Sequence, residues 1–164
     1  RRLIPLTRRA GVPLIINDHV DVARRASADG VHLGQDDLPI RDARRILGAD
    51  GLIGRSTHST QQAIAAQAEG ADYLALGPIF PTPTKPTYGG VDTGLIREVR
   101  ERVQLAIVCI GGISSANVGG VMAEGAECVA VVRAVCAAPD PEAAARELKG
   151  ILQQAARATR PSRL

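Results

Sequence analysis

The stretch "EGADYLALG", residues 69–77, joins the end of a helix-like segment to a short apolar run. Two other stretches have the same form: "SADGVHLG" at 27–34 and "EGAECVAVV" at 124–132. In each, a small residue or a glycine ends the helical segment, an acidic residue follows, and the apolar run begins. Strands that alternate with helices in this way are expected to pair in parallel. The repeat therefore predicts a parallel α/β fold.

The same alternation can be followed along the whole chain. The apolar runs are unbroken, as expected for strands buried on both faces, and they lie at 12–16, 30–33, 52–54, 73–77, 106–110 and 128–132. Segments with helical periodicity lie between them, at about 20–28, 39–47, 60–69, 94–102, 115–124 and 141–157. Typical helix starts occur at three places: Ser59 with Gln62, Ser114 or Ser115, and Asp140 before Pro141.

Two architectures fit about six strand–helix units in a single domain over residues 1–164. One is an open doubly wound sheet, and the other is a (β/α)₈ barrel of which about six units are present. A complete barrel usually needs more than about 200 residues. Segment 1–11 is predicted to be the tail of a helix entering the first strand. We therefore expect a barrel that lacks earlier units at its N-terminal side.

Composition excludes several classes of function. Aromatic residues make up 2% of the chain and tryptophan is absent, so a nucleic-acid platform of stacked rings is not expected. No apolar run of membrane-spanning length occurs in the sequence, and neither a signal peptide nor a membrane partner is expected. The basic excess behind the net charge of +3 lies in arginine doublets, which we interpret mainly as solvated helix faces, with weak attraction of anions as the alternative. Three cysteines without metal-ligand spacing, Cys109, Cys128 and Cys136, predict free thiols in a reducing, cytoplasmic location, with the first two buried.

Polar residues follow the predicted strands, where parallel α/β proteins carry their chemistry. Asp18 and Asp37 follow adjacent strands, and two carboxylates suit Mg²⁺, which keeps waters and shares substrate phosphates. The alternative is that each aspartate caps the helix after it. The other strand-end residues include Asn17, Gln35, Ser56, His58, the proline–threonine loop with Lys85, Gly111, Gly112 and Arg133.

The glycine pair and the histidines leave alternatives open. Gly111 and Gly112 precede a helix, so they could admit a phosphate to the backbone or form an ordinary turn. His58 could act in catalysis or support its turn, whereas His32 lies within an apolar strand and is expected in the core. His19 is expected to be exposed. No two histidines have ligand spacing, so zinc is not predicted.

Several motifs together resemble a known family. The motifs are "IINDHVDVA", "DGVHLGQDDL", "IGRSTHS", "ADYLALGPIFPTPTKP", "CIGGI" and "VAVVRAV", and the resemblance runs from about residue 12 to 148. They resemble successive motifs of thiamine-phosphate synthase, also called thiamine-phosphate pyrophosphorylase. The resemblance implies a (β/α)₈ barrel that couples 4-amino-2-methyl-5-(diphosphomethyl)pyrimidine to thiazole phosphate with Mg²⁺, giving thiamine phosphate and pyrophosphate.

The resemblance also implies roles for individual residues. It assigns Asp18 and Asp37 to the metal, and Asn17, Ser56 and Lys85 to the pyrimidine diphosphate. Lys85 and Ser56 would be the catalytic residues. The thiazole phosphate would be bound by Thr82, Thr84, Gly112 and the backbone at Val132 and Arg133.

Two features depart from the family pattern. A small residue, often serine, stands in the family where this chain has Arg133. The first two family strands, with a Gln-x-Arg-x-Lys segment that binds the diphosphate, have no counterpart here. Two other functions remain open: a thiazole tautomerase-like isomerase, and a non-catalytic binding or regulatory protein for phosphate ligands. The edge strands of a partial barrel would favour a homo-oligomer.

Overall fold

Residues 2–83 and 89–158 are described in this computed structural model, the last three of them through their backbone. Within these ranges the strands are β1 (Ile15–Asn17), β2 (Gly30–Leu33), β3 (Leu52–Thr57), β4 (Tyr73–Leu76), β5 (Ala106–Ile110) and β6 (Cys128–Ala130). The helices are α1 (Ile4–Ala10), α2 (Val20–Ala26), α3 (Ile40–Leu47), α4 (Thr60–Ala68), α5 (Gly94–Arg102), α6 (Val118–Ala123), α7 (Arg133–Cys136) and α8 (Pro141–Ala158).

The six strands of the described residues form one sheet in the order in which they occur in the sequence. The pairs β1–β2, β2–β3 and β5–β6 are parallel, with Ile16 opposite Val31 and Cys109 opposite Val129. A helix follows each strand. A doubly wound sheet would reverse its order at a switch point, whereas sequential parallel strands are the pattern of (β/α)₈ proteins. The predicted α/β fold class of about six units is therefore confirmed.

The continuous apolar runs correspond to deeply buried strands. Val31, Leu33, Ile53, Leu74 and Leu76 have no exposed surface. Burial of each such side chain contributes about 1.5–3 kcal/mol to folding.

Chain contacts divide the described residues into two compact units. The first comprises 2–57, 61–75 and 103–106, and the second comprises 58–60, 76–83, 89–102 and 107–158. The single domain predicted over residues 1–164 stays a prediction.

The acidic residue of the repeated junction is used where a strand begins. In the first unit, the Asp29 carboxylate accepts a hydrogen bond from the Leu14 N–H at 2.7 Å. The Asp72 carboxylate accepts one from the Ile53 N–H at 2.6 Å. Each carboxylate thus satisfies a backbone donor of a neighbouring segment, which gives the acidic residue a structural role at these two junctions.

Arginines from the helices complete two of these junctions. In the first unit, Arg44 of α3 forms an ion pair with Asp72 at 2.6 Å. In the second unit, Arg100 of α5 pairs with Glu127 at 3.0 Å and donates to the Gly125 carbonyl at 2.7 Å. The same combination of arginine and acid therefore fastens a helix to a later junction in both units.

Most predicted elements are present, but several boundaries differ. The predicted helix tail is α1, which ends at Ala10 and has Gly11 as its C-cap with φ 65°. The first strand begins at Ile15 rather than residue 12, because the Leu14 N–H bonds Asp29. The last apolar run was predicted to be a strand to residue 132, but β6 ends at Ala130 and the short helix α7 follows. An apolar run alone does not reveal where a strand gives way to a helix.

The cysteine prediction is partly wrong. Cys109 is fully buried in β5, and burial raises the pKa of its thiol to about 11. Cys128 was expected to be buried but is exposed. The other two residues of β6 are only half-buried. Cys136 is also exposed.

Among the described residues, no helix combines the length and apolarity needed to cross a membrane.

Candidate active site

The end of β1 carries Asn17 and Asp18, both exposed. Asp18 has a left-handed backbone (φ 62°), which aspartate tolerates better than most residues. Its N–H donates to the carbonyl of His32 in β2 at 2.8 Å. The N-cap of the following helix α2 is His19, so the alternative that Asp18 caps this helix is wrong.

The end of β2 carries Asp37 in the turn 34–37. Its carboxylate accepts a hydrogen bond from the Gly34 N–H at 2.6 Å. The N-cap of α3 is Pro39, so Asp37 does not cap that helix either. The backbone of Asp18 and the carboxylate of Asp37 are both anchored at the end of β2, at His32 and Gly34.

These two carboxylates fit Mg²⁺ by their chemistry, because that ion takes one or two carboxylates and completes its shell with water and phosphate oxygens. Among residues 2–83 and 89–158, no group of three or more His, Cys, Asp or Glu side chains could hold a metal. Two carboxylates suit an ion that is shared with a substrate.

Ser56, near the end of β3, belongs to a hydrogen-bonded cluster in the first unit. Its Oγ lies 2.9 Å from His32 Nε2, and His32 Nδ1 lies 3.1 Å from the Tyr73 hydroxyl. The His32 and Tyr73 rings stack with centroids 5.5 Å apart. Burial raises the pKa of Tyr73, so its hydroxyl stays protonated at neutral pH. The expectation that His32 is hydrogen-bonded is confirmed, but the residue is half-buried and not in the core.

Gly54 makes room for this cluster. A Cβ at this position would lie 2.1 Å from the Tyr73 ring and 2.5 Å from His32 Nδ1. Gly54 was not among the predicted site residues, although a glycine inside a strand pattern signals a close approach.

In the second unit, the beginning of the proline–threonine loop lies against the glycine pair. The Ile79 N–H donates to the Ile110 carbonyl at 2.8 Å, and the Phe80 N–H donates to the Gly111 carbonyl at 3.0 Å. A Cβ on Gly111 would lie 2.4 Å from Pro78, and one on Gly112 would lie 2.7 Å from Phe80. The absence of side chains at the glycine pair is therefore required by the loop itself.

An unpredicted asparagine shapes the turn after the glycine pair. Asn117 accepts a hydrogen bond from the Ser114 N–H at 2.9 Å and donates to the Gly112 carbonyl at 3.0 Å. Asn117 is the N-cap of α6, so the predicted start near residue 115 with a cap at Ser114 or Ser115 is wrong. The predicted cap at Asp140 is confirmed by a 2.9 Å bond from the Ala143 N–H.

The remaining predicted site residues are placed as follows. His58 Nδ1 contacts the Gly77 carbonyl at the start of the loop, so it supports the turn. Thr82 is half-buried in the loop, whereas Thr84 and Lys85 lie outside the described residues. Val132 is the exposed N-cap of α7, and Arg133 is its first residue.

Comparisons of the sequence with known proteins identify its family. A sequence model of the family described as thiamine monophosphate synthase matches residues 1–135. The thiamine-phosphate synthase of Chloroflexus aurantiacus is 53% identical over 149 residues, which are 90% of this chain and 68% of that protein. The corresponding enzyme of Shouchella clausii is 46% identical over 156 residues, covering 94% of this chain and 75% of the relative.

A solved structure supports the same relationship. Thiamine phosphate pyrophosphorylase from Pyrococcus furiosus superposes with a TM-score of 0.87 at 37% identity, over 93% of this chain and 73% of that one. The family match covers most of the chain, and the two relatives exceed two fifths identity over nine tenths of it. By its sequence and by its fold, the chain belongs to the thiamine-phosphate synthase family.

Proposed function

We propose that this protein is a transferase that couples 4-amino-2-methyl-5-(diphosphomethyl)pyrimidine to thiazole phosphate in a Mg²⁺-dependent reaction. The products are thiamine phosphate and pyrophosphate. The observation that carries the proposal is the pair Asp18 and Asp37, both anchored at the end of β2 and neither used as a helix cap. Family membership supplies the substrates, and this donor pair supplies a reason for the metal.

The first unit would bind the pyrimidine diphosphate. Asp18 and Asp37 would hold Mg²⁺, and Asn17 and Ser56 would donate to the substrate. When bound, Mg²⁺ supplies positive charge that stabilises the departing diphosphate. His32 keeps Ser56 in a fixed orientation through the 2.9 Å contact, so the hydroxyl is positioned before the substrate arrives.

The second unit would bind the thiazole phosphate. The half-buried Thr82 lies in a loop that two backbone hydrogen bonds hold, one to the Ile110 carbonyl and one to the Gly111 carbonyl. The family resemblance assigns phosphate oxygens to the backbone of Val132 and Arg133, which lie at the start of the short helix α7. Thr84 and the backbone of Gly112 would complete this phosphate site.

The chemistry needs no nucleophile from the protein. The C–O bond to the diphosphate breaks as the pyrimidine amino group releases electrons toward the exocyclic carbon, and the diphosphate leaves with the bonding pair. The thiazole nitrogen then forms the new C–N bond with its lone pair. Lys85 and Ser56 would stabilise the negative charge that develops on the leaving group, and Lys85 would act as a point charge.

Neither alternative function gains support from the relatives, which are named thiamine-phosphate synthase or thiamine phosphate pyrophosphorylase. A tautomerase would convert the thiazole alone and would not need two metal-binding carboxylates. We further propose a cytoplasmic location, because exposed free thiols such as Cys128 suit a reducing compartment. Association of copies through edge strands stays a prediction.

The test is a pyrophosphate-release assay on the protein that carries this sequence. Release should require both substrates and a divalent cation, should stop with a chelator, and should match the thiamine phosphate formed. Conversion of the thiazole without the pyrimidine would favour the isomerase. Binding of both substrates without any release would favour the regulatory function.

A further inference from the structure

Arg55 is the only charged side chain that is buried among residues 2–83 and 89–158. It lies in β3 with 9% of its surface exposed. Its Nη2 donates to the backbone carbonyl of Gln35 at 3.2 Å. Its Nη1 is fully buried and has no hydrogen-bond partner in the described part of the chain. None of the ion pairs found there includes Arg55.

Stability does not account for this arginine. A buried guanidinium without a carboxylate partner is unfavourable, and a buried N–H without an acceptor adds to that cost. An unbranched apolar side chain of similar length, such as methionine, would fill the same space without either cost.

The contacts of Arg55 lead to the turn that carries Asp37. Arg55 lies opposite Leu33, the last residue of β2, so its guanidinium reaches the turn 34–37 directly. The Gln35 side chain donates back to the Ser56 carbonyl. The turn is therefore fastened to β3 at two successive residues, once through the Gln35 backbone and once through its side chain.

Arg55 and Ser56, the residue proposed to bind substrate, lie on opposite faces of β3. Successive side chains of a strand point to opposite faces, and Ser56 shares its face with His32. Arg55 lies instead between the buried residues Ile53 and Thr57. It is therefore suited to orient the turn from behind, and not to contact a ligand that Ser56 binds.

We propose that Arg55 is a positioning residue for the cation site: its guanidinium fixes the Gln35 carbonyl and so sets the position of the Asp37 carboxylate. The inference rests on the proposed function, because it takes Asp37 to be a ligand of the cation. The planar fork of arginine holds an acceptor in one direction, which the flexible ammonium of lysine does not. Mutation of a group that orients a metal ligand commonly lowers metal affinity by about 10- to 100-fold.

The test compares Arg55→Met and Arg55→Lys with wild type. Amide hydrogen exchange at Gly34, whose N–H bonds Asp37, reports the turn without any ligand. We expect this exchange to be about tenfold faster in Arg55→Met. Mn²⁺ affinity, measured by electron paramagnetic resonance, should fall about tenfold or more. Arg55→Lys should recover part of both, and thermal stability of Arg55→Met should be equal to or above that of wild type.

Arg41→Met is the matched control, because Arg41 lies on α3 with 79% of its side chain exposed. It should change neither exchange nor Mn²⁺ affinity. Unchanged exchange at Gly34, unchanged or stronger Mn²⁺ binding, or failure of Arg55→Met to fold would each overturn the inference. If wild type and Asp37→Asn bind Mn²⁺ equally, the proposed cation role of Asp37 has failed, and the exchange data alone decide whether Arg55 holds the turn.

Discussion

Gly111→Ala should disrupt the docking of the proline–threonine loop, and its cost can be worked out from the structure. Gly111 has φ 103°, a conformation that residues with a side chain rarely adopt, and forcing alanine into it costs about 1–3 kcal/mol. The new Cβ would lie 2.4 Å from both the Cα and the Cβ of Pro78. A rigid ring and backbone cannot rotate away, so overpacking adds about 1–3 kcal/mol.

A single shift of the loop would relieve both the backbone strain and the overpacking. The two costs therefore do not add fully. We therefore expect a loss of about 2–4 kcal/mol in the free energy of unfolding. This is a large part of the roughly 5–15 kcal/mol that stabilises a typical domain. The loop also carries Thr82, so thiazole phosphate affinity should fall as the loop moves.

Urea unfolding measures the first effect, and calorimetric titration with thiazole phosphate measures the second. Gly120→Ala is the control, because Gly120 lies in α6 and an added methyl group there would meet no neighbouring group within 4 Å. That variant should gain about 0.5–1 kcal/mol, as alanine replaces glycine inside a helix. Wild-type stability in Gly111→Ala would refute the argument from close approach. Lost stability with unchanged thiazole phosphate affinity would show that the loop position does not govern the phosphate site.

Three other variants or measurements test the remaining assignments. Asp37→Asn keeps an oxygen that can accept the Gly34 N–H but removes the charge, so it should fold normally and need about 100-fold more Mg²⁺ for turnover; a wild-type Mg²⁺ titration would contradict the assignment. Lys85→Ala should lower turnover by about two to three orders of magnitude, and Lys85→Arg should restore only part of it; full activity in Lys85→Ala would remove Lys85 from the catalytic residues. In a thiol-labelling assay at about pH 8.5, Cys128 and Cys136 should react, whereas Cys109, whose pKa burial raises to about 11, should react only after unfolding; rapid labelling of all three thiols would contradict the buried position of Cys109.

The fold could be predicted from sequence because its signals are local and repeated. The runs at 30–33 and 106–110 coincide with β2 and β5, and the segment 94–102 coincides with α5. In these elements the local pattern of apolar residues agrees with the position of the element in the fold. Predictions failed where a side chain takes over a backbone group: Asp29 takes the Leu14 N–H before β1, and Asn117 delays the start of α6.

The candidate site could be predicted only in part. The positions of Asp18, Asp37 and Ser56 at strand ends follow from the pattern of strands and helices. Their supports do not follow from it, because they are contacts between residues far apart in the sequence. His32 meets Ser56 and Tyr73 across three strands, and the guanidinium of Arg55 reaches the Gln35 carbonyl. No local pattern indicates which of these side chains meet.

Acidic residues serve two different purposes in this chain, depending on whether they lie at the beginning or at the end of a strand. At strand beginnings, Asp29 and Asp72 use their oxygens on backbone N–H groups, and Asp72 also pairs with Arg44, which neutralises its charge within the fold. At the end of β2, Asp37 occupies no helix cap, and none of the ion pairs among residues 2–83 and 89–158 includes it. A carboxylate whose charge is not neutralised by an arginine can attract a cation, whereas one already paired cannot do so without losing that pair. Replacing Asp72 should therefore lower the stability of the fold, and replacing Asp37 should lower cation affinity. The acidic residue before a strand would thus serve folding, and the acidic residue after a strand would serve function.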